Sequence, residues 1–190
     1  MMREILIHGT GGQGALTAGQ LLAIASLRDG YTVSVVPHYT PEVRGGEANA
    51  ILVISSDPIG SVLPAEWDVA LLLANKAAAR HALVVRPGGV VLYNSSLVPP
   101  PATRDGAVAI GIPASAIAEE AGNPKAANMV LLGALCACWD TIAVDVLKAA
   151  LRAESVGRWA QFLDANLMVI DAGADAVRRA GGRAPAGSAA

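Results

Sequence analysis

The chain has 190 residues, 53% of them apolar and only 16% charged, with a formal net charge of −2 at pH 7. An ordinary soluble domain carries roughly 25% charged residues, so this chain is too apolar to be disordered and too weakly charged to grip nucleic acid through a positive field. Two cysteines cannot build a disulfide framework, and no Cys/His cluster has zinc spacing, so no metal ligands are expected. The opening residues do not form a charged region followed by an apolar run, so no secretory leader is expected. A membrane-spanning helix needs about 20 apolar residues in a row, and the best run, residues 126–139, stops at Asp140. The apolar excess is therefore assigned to surface covered by another chain, in a cytoplasmic protein that works within an assembly.

Residues 4–8 (EILIH) form a short apolar run that predicts a buried strand, and residues 9–14 (GTGGQG) a turn. Residues 15–28 place Leu16, Gly19, Gln20, Leu22, Ala23 and Leu27 at helical spacing, ended by Asp29-Gly30. Residues 31–36 (YTVSVV) are β-branched and aromatic, a second strand. Strand, glycine turn, helix and strand together predict a right-handed parallel crossover. Residues 37–46 (PHYTPEVRGG) predict a loop, 48–55 a third strand and 67–73 a fourth. Asn75 is the expected cap of a helix running to Val85.

Pro87-Gly88-Gly89 punctuates before a strand at 90–93, and 107–112 predicts another. Residues 113–121 read as a short helix ended by Gly122. Asn123 and Pro124 suit the cap and first position of a helix over 125–139, apolar nearly all round and therefore buried or at an interface. Residues 143–151 and 157–179 predict a closing helical pair, and 180–190 (AGGRAPAGSAA) a flexible tail. The expected fold is one doubly wound, Rossmann-like α/β domain over residues 1–179, with a mostly parallel sheet and C-terminal helices.

Gly9, Gly11, Gly12, Gln13 and Gly14 lie in a G-x-G-x-x-G turn between strand and helix. Glycines let the backbone approach a ligand, and the helix start favours a phosphate. The alternative is a turn that only lets helix and sheet pack closely. An NAD site also wants a carboxylate at the end of the second strand, but that end reads Ser34-Val35-Val36-Pro37. In the next loop Tyr39, Glu42, Arg44 and Gly45 are further candidate binding residues: Arg44 offers a forked donor to phosphate or carboxylate, and Glu42 can pair with it or orient it. Read blandly, the loop carries one weak surface ion pair. Asn128 lies one turn into the apolar helix and needs partners, either the glycine turn or a ligand.

Gly9-Thr10-Gly11-Gly12-Gln13-Gly14, followed by Tyr39-Thr40-Pro41-Glu42-Val43-Arg44-Gly45-Gly46-Glu47-Ala48-Asn49, resembles the gamma subunit of 2-oxoacid:ferredoxin (or flavodoxin) oxidoreductases. The likeness continues through 51–55, Asp57-Pro58-Ile59, Gly122-Asn123-Pro124-Lys125, Asn128-Met129, Leu132-Gly133, Asn166-Leu167 and Asp171-Ala172-Gly173. The related indolepyruvate subunit carries Gln-Arg-Gly-Gly in this loop, so Pro41-Glu42-Val43-Arg44-Gly45-Gly46 favours the 2-oxoglutarate or pyruvate type. The resemblance implies oxidative decarboxylation of a 2-oxoacid to an acyl-CoA, with thiamine diphosphate as electron sink and iron–sulfur clusters passing electrons to ferredoxin or flavodoxin. Thiamine diphosphate, magnesium and the clusters would sit on alpha, beta and delta-like partner subunits. This chain has no cluster pattern of cysteines, and Arg104-Asp105-Gly106 lacks the first glycine of a thiamine-site motif. It would bind no cofactor firmly and be inert alone, while contributing to assembly and, through the glycine turn and Arg44, to coenzyme A binding. The alternatives are a free-standing NAD(P)- or flavin-binding oxidoreductase and a nonenzymatic scaffold.

Other reactive residues have plainer readings. Cys136 and Cys138 point about 200° apart on a helix and read as buried small hydrophobes. His8 reads as a packed histidine, His81 as a surface one, and His38 adjoins the loop that begins the second motif.

Overall fold

The computed structural model describes residues 1–40, 45–139 and 142–181. Glu42 and Arg44, and all but the first two residues of the expected tail, lie outside the described residues. Six strands form one sheet: β1 (Met2–Thr10), β2 (Thr32–Tyr39), β3 (Glu47–Ser55), β4 (Trp67–Leu72), β5 (Val85–Asn94) and β6 (Val108–Ile112), in the order β2-β3-β1-β4-β5-β6. β1, β4, β5 and β6 pair in parallel, whereas β3 runs antiparallel to both β1 and β2. The β1–β2 connection through α1 (Ala15–Arg28) thus joins strands of one direction, but β3 lies between them. β2 extends through Pro37, His38 and Tyr39, residues expected in a loop. Pro37 is tolerated there because β2 is an edge strand, where a missing N–H breaks no central ladder.

Alternation along β1 divides the core. Ile5 and Ile7 face a large core with α1, α3 (Ala114–Glu120), α4 (Ala127–Cys138), α5 (Val144–Glu154) and α6 (Leu163–Arg179), while Leu6 faces a smaller one that includes Ala78 and Ala82 of α2 (Ala78–Ala82). α4 is buried nearly all round because α6 packs against it: a Cβ on Gly133 would stand 2.0 Å from the Ile170 carbonyl oxygen, and one on Gly173 would stand 1.9 Å from that of Val130. Part of the apolar surplus is therefore spent inside the chain.

Several boundaries depart from expectation. α2 covers five residues and Asn75 does not cap it; the chain enters through Ala77 at φ 59, and Val85 already pairs with Trp67 in the sheet. α4 begins after Ala126 without a side-chain cap, because Asn123 turns its amide to Asn166 Oδ1 (3.0 Å) and Asn123–Ala126 close a turn of their own. The predicted 157–179 helix divides into a 3-10 segment, Gly157–Phe162, and α6.

Candidate functional site

The glycine turn has a packed half and an open half. Gly14 caps α1 at φ 74, and a Cβ there would lie 2.5 Å from Asn128 Nδ2. That amide donates to the Gly14 carbonyl at 3.0 Å, while Asn128 Oδ1 accepts the Met129 N–H at 3.0 Å. The contact with the turn, one of the two roles open to Asn128 from sequence, is thus present. Gln13 braces the turn from within: Oε1 accepts the Thr10 N–H at 2.8 Å and Nε2 donates to the Leu73 carbonyl at 3.3 Å. A Cβ on Gly9 would meet Gln13 and Ala15 at 3.2 and 3.3 Å. At Gly11 and Gly12, by contrast, nothing lies within 4 Å of such an atom, and Gly12 has φ +91.

Next to Gly12 and Gly14 runs a groove of 640 Å³ between α1 and the α4–α6 side of the chain, lined also by Thr17, Asn123, Lys125, Asn128 and Asn166. A smaller hollow of 180 Å³ also touches Gly12 and Lys125. The first turn of α1 directs N–H groups without intrahelical partners towards its N-terminal end. Lys125, exposed beside them, supplies a positive charge. Lys125 is expected from sequence as the first residue of a helix; it sits instead in the Asn123–Ala126 turn, which brings it to the groove.

The second motif meets the first through its backbone. The Gly11 N–H donates to the Gly46 carbonyl at 3.1 Å, and Lys76 Nζ donates to the Gly45 carbonyl at 3.1 Å. Tyr39 ends β2 with its side chain exposed and does not line the groove.

His81 corrects an expectation. It is not a surface residue: its ring packs 4.6 Å from that of His8, and Nε2 lies 3.5 Å from Glu47 Oε2. Burial, then the nearby charges of His8 and Arg80, pull it down to about 4, against a partial pull upward from Glu47. Burial would raise the Glu47 carboxyl, but Arg80, His81, Asn49 and His8 together hold it below the usual carboxylate range. His8 is fully buried, with Nδ1 2.7 Å from Asn49 Oδ1 and Nε2 against the Lys76 carbonyl. His38 is exposed. Cys138 is buried and Cys136 half-buried, and burial pushes both thiols up to about 12, so they stay protonated and unreactive at neutral pH.

Residues 4–176 match the pyruvate ferredoxin/flavodoxin oxidoreductase family. The chain belongs to that family. It is 35% identical over 177 residues to ketoisovalerate oxidoreductase subunit VorA of Methanothermobacter marburgensis; the match takes in 93% of this chain but 37% of the relative, so the chain spans little more than a third of that protein. Its fold is similar to the crystal structure of the keto/oxoacid ferredoxin oxidoreductase gamma subunit from Geobacter sulfurreducens, with 25% identity, a TM-score of 0.79, and 95% and 98% of the two chains covered. It is also similar to 2-oxoglutarate:ferredoxin oxidoreductase from Magnetococcus marinus with 2-oxoglutarate, coenzyme A and succinyl-CoA bound, with 26% identity, a TM-score of 0.83, and 94% of this chain against 31% of that one. Among the described residues, no helix of this family member is long and apolar enough to cross a membrane.

Proposed function

We propose that this chain is the gamma-type subunit of a cytoplasmic 2-oxoacid:ferredoxin oxidoreductase, inert alone, and that its glycine turn receives an anionic part of coenzyme A. The complex would convert a 2-oxoacid and coenzyme A to acyl-CoA and carbon dioxide, passing two electrons singly to ferredoxin or flavodoxin. The observation that carries the reading is the open part of the turn: Gly12, with nothing within 4 Å of where a Cβ would stand, lies beside a groove that Lys125 also lines. A helix start and a lysine together suit a phosphate. The coenzyme A held by the Magnetococcus relative supports that choice of ligand.

The redox groups do not fit this chain. A four-thiolate cluster needs more than its two cysteines, and burial holds both as thiols. Alpha and beta partners, with a delta-like cluster subunit, would therefore carry the thiamine diphosphate, magnesium and iron–sulfur centres. Thiamine diphosphate supplies the electron sink for decarboxylation; this subunit's part is to bind and orient coenzyme A. Gly12→Asp and Arg44→Ala in the assembled complex test it. The expected result is a raised KM for coenzyme A with the KM for the 2-oxoacid unchanged, and an unaltered coenzyme A KM in both variants would sink the assignment.

A dinucleotide-binding reading fares worse. The strand beside β1 on that side is β3, antiparallel, and its carboxylate nearest the turn, Glu47, is engaged by Arg80 and His81. Among the described residues, no acid is left there for a ribose.

A further inference from the structure

We propose that His8, Glu47 and His81 form a site for a zinc-type divalent transition ion, with Arg80 as the resident cation it displaces. The three residues are far apart in sequence and meet through the sheet. His8 pairs with Asn49, and Thr10 with Glu47, in the β1–β3 ladder, so these side chains share one face. α2 then lays His81 and Arg80 over that face.

One ligand atom from each of the three lies within 4.8 Å of the others. Tetrahedral zinc with bonds of about 2.0–2.1 Å spaces its ligand atoms roughly 3.4 Å apart, and His81 Nε2 already stands 3.5 Å from Glu47 Oε2. The donor set, two imidazoles and a carboxylate, is one that zinc uses with a fourth position left open. His8 also has the support that metal-bound histidines need: each ring nitrogen has an oxygen neighbour, Asn49 Oδ1 or the Lys76 carbonyl, so one can take the ion while the other keeps its partner.

Arg80 holds both Glu47 oxygens, at 3.1 and 2.9 Å, yet its own side chain is 65% exposed. It can swing into water and leave the carboxylate to the ion. Occupied, the site would pin α2, β1 and β3 together under the Gly45–Gly46 backbone.

The test uses the tag-free full chain, with zinc and cobalt ions as the probes. One equivalent of zinc should bind by calorimetry and move the ring-proton resonances of His8 and His81, while exposed His38 stays still; cobalt should give the visible bands of a tetrahedral site. Glu47→Gln should weaken binding by at least about tenfold, and Arg80→Ala should tighten it severalfold. Should Glu47→Gln not fold, Arg80→Ala makes the comparison by itself. Zinc that moves only His38, no binding at millimolar zinc, or an affinity unchanged in Arg80→Ala would each overturn the site.

Discussion

The side-chain amide of Asn128 donates to the backbone carbonyl of Gly14 across 3.0 Å and occupies the space a Cβ at Gly14 would need. The first residue to leave the glycine turn and the first buried polar residue of α4 are thus fitted to each other. Asn128→Ala should cost about 1–2 kcal/mol, for a lost hydrogen bond and a small void. Gly14→Ala should cost more, adding the strain of φ 74 to a clash. The double variant should cost less than the sum, since removing the amide relieves the clash. Urea denaturation of the four proteins checks all three statements.

Where α4 crosses α6, Gly133 and Gly173 leave no room for a methyl group, so either alanine forces two backbones apart. Each should destabilise by about 1–3 kcal/mol or more. Gly60→Ala, with nothing within 4 Å, should be close to neutral and serves as the control in the same thermal melts.

Lys125 is the only lysine or arginine lining the groove among the described residues. In the assembled enzyme Lys125→Ala should raise the KM for coenzyme A by roughly three- to tenfold with kcat little changed, the mark of lost ground-state binding. Added salt should narrow the difference from wild type. Steady-state kinetics at two ionic strengths decide this.

Acid should loosen the histidine cluster. His81 falls from 6.5 in the unfolded chain to about 4 in the folded one, so between these values the unfolded chain binds more protons. Its contribution is intact above about pH 6.5 and is lost as pH falls towards 4, on the order of 3 kcal/mol over that window. Glu47, also lowered, acts with the same sign below its ordinary 4.5. Stability measured against pH in chelator-treated buffer should fall over this range, and His81→Gln should flatten the upper part of the slope.

Local pattern carried much of the fold. The bounds of α1 follow from the glycine turn before it and Asp29-Gly30 after it, and the apolar runs of β1, β3 and β4 mark buried strands. What pattern could not supply was partnership between distant segments. YTVSVV reads as a strand in either direction, and only the hairpin to β3 makes it an edge. Asn123 looks like a helix cap until Asn166 arrives from α6 to take its amide. His81, beside an arginine, looks like surface until the β1–β3 ladder sets His8 and Glu47 beneath it. The glycine turn was legible as a motif, but its division into a packed end and an open end depends on Asn128, more than a hundred residues away.

β3, lying between β1 and β2, also changes what the glycine turn can feel. In an ordinary parallel crossover the neighbouring strand ends beside the turn and carries on elsewhere. Here β3 is stitched along the whole of β1, and Gly46, just before it, accepts the Gly11 N–H through its carbonyl. Any displacement of the segment entering β3 therefore moves the Gly46 carbonyl and, through it, the Gly11 N–H of the turn, with no intervening joint.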